Sequence, residues 1–179
     1  MSLEEAYMNQ RAAFLRFEDA TIRNLRLAYA FASAFSDDPS THNGAVLITR
    51  KNEVVLGTNH LPIGVALTAE RLDRPAKYAF MEHAERDVIL KAAEMGYRTA
   101  GAALFVPWYA CADCARAIIG AKIKVIVGHK QMFDRTPERW KASIADGDAM
   151  LDEAGVKRHV YDGPIGRVRV LFDGEFWEP

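Results

Sequence analysis

The sequence is short of several things, and each shortage excludes something. It has only two cysteines, Cys111 and Cys114, in 179 residues. In a reducing compartment so close a pair points to metal or redox chemistry rather than to a structural disulfide. Net charge is nearly absent, with 23 Lys and Arg against 24 Asp and Glu. A protein held mainly by nucleic-acid phosphates needs a basic surface, so a polynucleotide partner is disfavoured. The longest uncharged stretch near the start, Leu27–Ser36, falls far short of the roughly 20 apolar residues of a membrane span. The opening "MSLEEAYMNQ" is acidic and lacks the basic and apolar regions of a secretory signal. The expectation is a cytoplasmic protein with no membrane partner. Repeats, low-complexity blocks and Ser/Gly linkers are also missing. One domain over 1–179 is therefore expected, with a core of about 20–130 and a C-terminal extension, 131–179, that carries no readable chemical motif.

What is present reads as an α/β domain. Half of the residues are hydrophobic, enough for a core of ordinary size. Phe17, Thr21, Leu25, Ala28, Ala32 and Phe35 fall at helical spacing, predicting a helix from about Arg11 to Phe35 that "SDDPST" breaks. "GAVLIT" and "EVVLGTN" predict a hairpin. The stretch from His60 to Phe80 predicts a long loop with a helical turn, and loops of that length are usually functional. A helix over Ala84–Met95, a strand at "AALFVP", a helix at "ADCARAIIGA" and a buried strand at "KVIVG" follow. Asp146–Glu153 predicts another helix and "VRVLF" a late strand. This order makes a sheet with helices packed on its faces.

The chemistry sits in "MEHAERDVIL" and "CADC". Cys111 and Cys114 are three apart where a strand ends and a helix begins, so both thiolates can point at one atom, and a helix N-terminus favours their charge. His83 opens another helix and offers an imidazole. Zinc takes thiolates and imidazoles, and a catalytic site keeps three protein ligands with the fourth position open. Glu85 then faces the open position, where a carboxylate can accept and return a proton. Such a set suits hydrolytic attack on an unsaturated ring carbon bearing an amino group. Two other readings compete: a redox Cys-x-x-Cys, and a structural zinc completed by His42, His60, His129 or His159.

The pairing of "HAE" with "CADC" resembles the zinc-dependent cytidine and deoxycytidylate deaminase superfamily, whose signature is H-x-E…P-C-x-x-C. The likeness runs from about Ser36 to Val127, and more faintly to "EAGV" at Glu153–Val156. Within the superfamily the deoxycytidylate deaminases are most similar. "SDDPSTHNGAVLI" resembles their S-x-D-P-S-T-x-V-G-A-V, "GTNHLPIG" their G-Y-N-G-x-P-x-G, and "KYAFMEHAE" their K-Y-P-Y-x-x-H-A-E. The resemblance implies a three-layer α/β/α cytidine-deaminase-like fold, with a central mixed sheet and helices on both faces. It implies Zn2+ on His83, Cys111 and Cys114, Glu85 as the catalytic proton shuttle, and Asn59 against sugar or base. It also implies a homo-oligomer, from dimer to hexamer.

Several positions depart from that pattern. Ala110 stands where a proline usually precedes the first cysteine, and Pro107 comes earlier. Asn43 replaces a usual valine, Asp87 a usual asparagine, and Phe35 and Asp37 flank Ser36 where basic residues are common. The expected substrate-facing set is Asn59, Asn43, Ala84, Pro107, Trp108 and Tyr109. Arg71, Arg74 and Lys77 are candidates to hold a phosphate, against the reading of a solvated turn. Trp108 and Tyr109 could stack on a base or belong to the core. The expected reaction is deamination of a cytosine nucleotide, dCMP to dUMP plus ammonia, with a small-molecule nucleotide or nucleoside as partner. Cytidine or a modified pyrimidine nucleoside, guanine and tRNA adenosine are alternative substrates. A non-catalytic zinc-stabilised binding module is the alternative of another class.

Overall fold

The computed structural model describes residues 3–179 of the chain. Along it come α1 (Leu3–Phe35), β1 (Gly44–Ile48), β2 (Val54–Thr58), α2 (Ala69–Leu72), α3 (Lys77–Phe80), α4 (Ala84–Glu94) and β3 (Ala103–Phe105). These are followed by α5 (Ala112–Gly120), β4 (Val125–His129), α6 (Lys130–Asp134), α7 (Glu138–Glu153), β5 (Lys157–Tyr161), β6 (Val170–Phe172) and β7 (Glu175–Trp177). Five strands form one sheet in the order β2-β1-β3-β4-β5. β1 is antiparallel to β2 and β3, whereas β3, β4 and β5 are parallel. The sheet is mixed, as the family resemblance implies. β6 and β7 pair separately as a hairpin.

Side chains that alternate along the strands divide the core into two layers. From β1, β3 and β4, Leu47, Leu104 and Ile126 pack with Val88 of α4, Ile118 of α5 and Leu151 of α7. Their neighbours Val46, Phe105 and Val127 point the other way, against Leu25, Ala28 and Tyr29 of α1. Val170 and Phe172 of the late hairpin join this second layer. A strand sequence such as "AVLI" is apolar at every position because both of its faces are covered.

Some sequence expectations need correction. The stripe on α1 is buried through Thr21, Leu25, Ala28 and Ala32, but Phe17 and Phe35 are exposed. A helix of 33 residues is roughly 50 Å long, whereas five strands side by side span only about 20–24 Å. The ends of the stripe therefore overrun the sheet. The helix predicted from Asp146 begins at Glu138 instead. β5 was not predicted: "KRHVY" is a largely exposed edge strand with no apolar run. Among the described residues, no helix is long and apolar enough to cross a membrane.

The close approach of α1 to β1 depends on a missing side chain. A Cβ at Gly44 would lie 2.1 Å from the carbonyl oxygen of Ala28. Overpacking typically costs about 1–3 kcal/mol, and a backbone oxygen cannot swing aside. Gly44→Ala should therefore lower the melting temperature by several degrees, at about 2–4 °C per kcal/mol for a chain of this size. A midpoint within one degree of wild type in calorimetry would show that α1 is free to shift.

Candidate active site

The parallel strands end on the side where α4 and α5 begin. His83 is the N-cap of α4 and Cys111 the N-cap of α5, and neither side chain caps its own helix. Both side chains are thus free to turn toward the space between the two helix starts. Cys114, one turn into α5, is fully buried. His83 Nδ1 lies 3.7 Å from Cys111 Sγ and 3.5 Å from Cys114 Sγ, and the three donor atoms fall within 4.8 Å of one another. Tetrahedral bonds of about 2.3 Å to sulfur and 2.0–2.1 Å to nitrogen would put such donors roughly 3.6 Å apart. Two thiols and an imidazole at this spacing fit zinc.

None of the other histidines joins the cluster. His129 Nδ1 meets the Tyr29 hydroxyl at 2.8 Å and its Nε2 meets Gly163 O at 2.9 Å. His60 lies 2.9 Å from Asp87 Oδ1, and His159 packs edge-on to Phe17. Among the described residues the metal-ligating group is His83, Cys111 and Cys114, without a fourth donor.

The thiols are electrostatically unequal. A hydrogen bond with Cys114, reinforced by His83, holds the Cys111 thiol down to about 3. The same hydrogen bond and burial push Cys114 up. A site that already favours one thiolate is prepared for a cation. Arg86 supports the other sulfur: its Nη1 donates toward Cys114 Sγ at 3.6 Å, while its Nε donates to Glu82 Oε1 at 2.5 Å. The sequence reading missed Arg86, although it sits three residues after His83, at the spacing that returns to the same helix side.

Glu85 is 2% exposed, and burial raises its carboxyl pKa. Its Oε2 is buried without a hydrogen-bond partner, and so is Asn43 Oδ1. Both residues line the same pocket, which encloses about 560 Å³ out to open solvent. Buried unpaired polar atoms are uncommon and costly. Two in one cavity leave polar atoms there that a ligand can pair.

The remaining predicted residues divide by position. Asn59 lines the pocket and braces it: its Oδ1 accepts the Ala84 N–H at 3.3 Å, and its Nδ2 donates to Thr41 O at 3.4 Å. Ala84 is buried under that contact and is not exposed to the pocket. Pro107 also stands outside the lining, its carbonyl accepting the His129 N–H. Trp108 lines the pocket, with its Nε1 donating to Thr136 Oγ1 at 2.9 Å. Tyr109 borders it too, but its ring packs on Phe133 and its hydroxyl donates to His159 O, as a core side chain does. Arg71 lies away from the pocket, with its Nη1 on Ala66 O and its guanidinium over Phe80. Lys77 lines the floor but is 4% exposed, and its ammonium is spent on both Asp38 oxygens and Ser40 Oγ. Arg74 remains at the mouth.

The C-terminal part of the chain supplies what the sequence reading did not see. Arg139, Trp140 and Ile144 of α7 line the pocket. The Trp140 ring lies 5.7 Å from His83, 5.5 Å from Tyr78 and 5.9 Å from Trp108. Ser143 Oγ accepts the Ala112 N–H at 3.1 Å, capping α5 from outside. A signal for the helix, though not for its place at the pocket, was available: Trp140, Ile144, Gly147 and Leu151 recur at helical spacing after "TPE".

Residues 19–130 match the family described as the cytidine and deoxycytidylate deaminase zinc-binding region. A protein named as an uncharacterized deaminase in the luxG 3′ region of Aliivibrio fischeri is 35% identical over 125 residues, covering 69% of this chain and 82% of that protein. The deoxycytidylate deaminase of Homo sapiens is 28% identical over 157 residues, covering 82% of this chain and 83% of its own. Among solved structures, the dCMP deaminase of cyanophage S-TIM5 in apo form superposes with a TM-score of 0.59 at 21% identity, over 82% of this chain and 98% of that one. At that identity the likeness speaks for the fold.

The three donors and the glycine behind them lead to a metal prediction. Zinc measured by elemental analysis should be one per chain, and His83→Ala or Cys111→Ala should lose it and unfold earlier, because ligands and metal fold together. A Cβ at Gly147 of α7 would lie 2.7 Å from Ala110 O, beside the first cysteine. Gly147→Ala should therefore weaken zinc retention against a chelator without removing any donor. Full zinc occupancy in the His83→Ala/Cys111→Ala double variant would rule these donors out.

Proposed function

The chain belongs to the cytidine and deoxycytidylate deaminase zinc-binding family, and from that membership we propose that it deaminates a cytosine nucleotide, converting dCMP to dUMP and ammonia. It is a zinc-dependent hydrolase. The observation that carries the proposal is the unpartnered buried Oε2 of Glu85 in the pocket that His83 and Cys111 also line. The choice of a monophosphate is supported by the named activity of the human relative and by guanidinium groups at the pocket mouth.

His83, Cys111 and Cys114 would hold zinc, which when bound would supply Lewis-acid activation of water near neutral pH. Glu85 accepts one proton from the attacking water as the water oxygen bonds to C4 of the ring, and delivers that proton to N3. Glu85 then takes the remaining hydroxyl proton and passes it to the exocyclic amine. The C4–N bond breaks, ammonia leaves, C4 becomes a carbonyl, and the carboxylate ends as it began. Burial keeps bulk water from exchanging with the proton in transit. Asn59 holds the start of α4 and so aims Glu85, while Asn43 offers its unpaired amide oxygen to the sugar or base. Trp108 and Trp140 wall the base with apolar surface.

Two measurements test this reading. Ammonia release should be fastest with dCMP in a panel that includes CMP, deoxycytidine, cytidine and guanine. Preference for an unphosphorylated nucleoside or a free base would replace dCMP as the substrate. Glu85→Gln keeps size and leaves the three donors intact. Loss of general acid–base help typically costs about 100- to 10,000-fold, so kcat should fall in that range while zinc content and melting temperature stay near wild type. A loss below about threefold would mean that Glu85 does not carry the proton, and would favour a binding module with a structural metal.

A further inference from the structure

The pocket mouth holds a charge cluster built from three distant parts of the chain. Arg74 comes from the loop before α3, Arg139 from the first turn of α7, and Asp173 from the turn between β6 and β7. Arg74 Nη2 donates to Asp173 Oδ1 at 2.6 Å and to Ser40 Oγ at 3.2 Å. Arg139 grips the same carboxylate with both terminal nitrogens, Nη2 on Oδ1 and Nη1 on Oδ2. Both arginines line the pocket, whereas Asp173 does not. The carboxylate therefore holds the two guanidiniums from behind.

Charge balance makes this cluster unlike an ordinary surface ion pair. Deeper in, Lys77 is matched by Asp38, both nearly inaccessible. At the rim two guanidiniums share one carboxylate, leaving one positive charge in excess. Each guanidinium carries five N–H donors, and Asp173 and Ser40 occupy only part of that set. The side chains are roughly a third to two-fifths exposed, so an incoming anion reaches them from the pocket without opening the fold. Two like charges this close repel, and Asp173 is what allows them to stand together.

We infer that Arg74 and Arg139 form the subsite for the anionic end of the substrate, a phosphate monoester, and that Asp173 is the positioning residue that keeps both guanidiniums turned to it. This rests on the nucleotide reading above and assigns its selectivity to the C-terminal part of the chain. The positions flanking Ser36, Phe35 and Asp37, carry no positive charge for that task. Planar forks on two sides of a phosphate are the geometry that discriminates it from a neutral hydroxyl.

The test uses the zinc-loaded full chain and reads selectivity and binding separately. The ratio of kcat/KM for dCMP to that for deoxycytidine should fall roughly 10- to 150-fold in Arg139→Gln, the range for a charge-assisted contact, mainly through KM for dCMP. Arg74→Gln should act in the same direction. Asp173→Asn should lower the ratio by a smaller factor, about 3- to 10-fold, and Asp173→Glu should restore part of it. Titration with inorganic phosphate, followed by tryptophan fluorescence because Trp140 adjoins Arg139, should show binding weakened at least tenfold by Arg139→Gln. Circular dichroism confirms that each variant is folded. An unchanged ratio in folded Arg139→Gln, or equal phosphate binding by wild type and variant, overturns the subsite. An Asp173→Asn protein with a lower KM for dCMP makes Asp173 a competitor and overturns its positioning role. Phosphate binding that depends on Arg139, in a protein that does not turn over dCMP, upholds the subsite and sinks the dCMP reading instead.

Discussion

The site depends on two helix N-termini meeting at one point. α4 and α5 both start beside the same pocket, and each presents the positive end of its dipole there, worth roughly half a unit charge apiece. Left bare, that arrangement would repel itself and leave N–H groups unpaired. Asn59 Oδ1 takes the Ala84 N–H of one helix and Ser143 Oγ the Ala112 N–H of the other. Because these outside groups act as caps, His83 and Cys111 at the two N-cap positions are released from capping. The donors that fit a metal are available because other residues do their usual structural work.

That division explains the weight carried by the C-terminal part of the chain. α7 does more than cover α5. It caps α5 through Ser143, approaches Ala110 so closely that only glycine fits at position 147, and lines the pocket with Arg139 and Trp140. The β6–β7 turn adds Asp173 at the mouth. The donor cluster and much of the pocket rim thus come from different segments of the chain. The donors and Glu85 belong to 83–114, whereas Arg139, Trp140 and Ile144 line the pocket from beyond 138.

How much of this could be read from sequence follows the strength of local signals. Strands covered on both faces, such as "AVLI" and "VIVG", announce themselves as apolar runs, so the hairpin, the parallel strands and the helices between them were legible. The meeting of His83 with Cys111 and Cys114 was legible because His83 and Cys111 stand where a helix begins and Cys114 follows one turn later. Edge strand β5 was not, since an exposed strand has no reason to be apolar. Arg139 and Trp140 were illegible as site residues for another reason. Nothing local distinguishes an arginine and a tryptophan on an amphipathic helix from surface and core, and only the packing of α7 across α5 brings them to the pocket. Lys77 shows the reverse. Its position before "YAFMEHAE" suggested a phosphate ligand, but burial forces it to be matched by Asp38.

The Lys77–Asp38 pair also shows why the floor and the rim of the pocket behave differently. A buried ion pair carries a desolvation cost that its mutual attraction offsets only if the remaining lone pairs and protons are satisfied. Asp38 meets that condition: Oδ1 also accepts the N–H groups of Ser40 and Thr41 and the Ser40 hydroxyl. Removal of either charge would strand the other, so the segment from Asp38 to Thr41 is held in one conformation. Thr41 in turn receives the Asn59 amide, and Asn59 holds the start of the helix that bears Glu85. A continuous set of polar contacts therefore runs from a buried ion pair to the N-terminus of α4, the helix that bears Glu85. At the rim the corresponding charges are partly exposed, where an ion pair is worth little on its own and its partners can be shared with a ligand. A fixed floor suits chemistry that needs atoms held in place, and an exposed, charge-rich rim suits an anion that must arrive and leave.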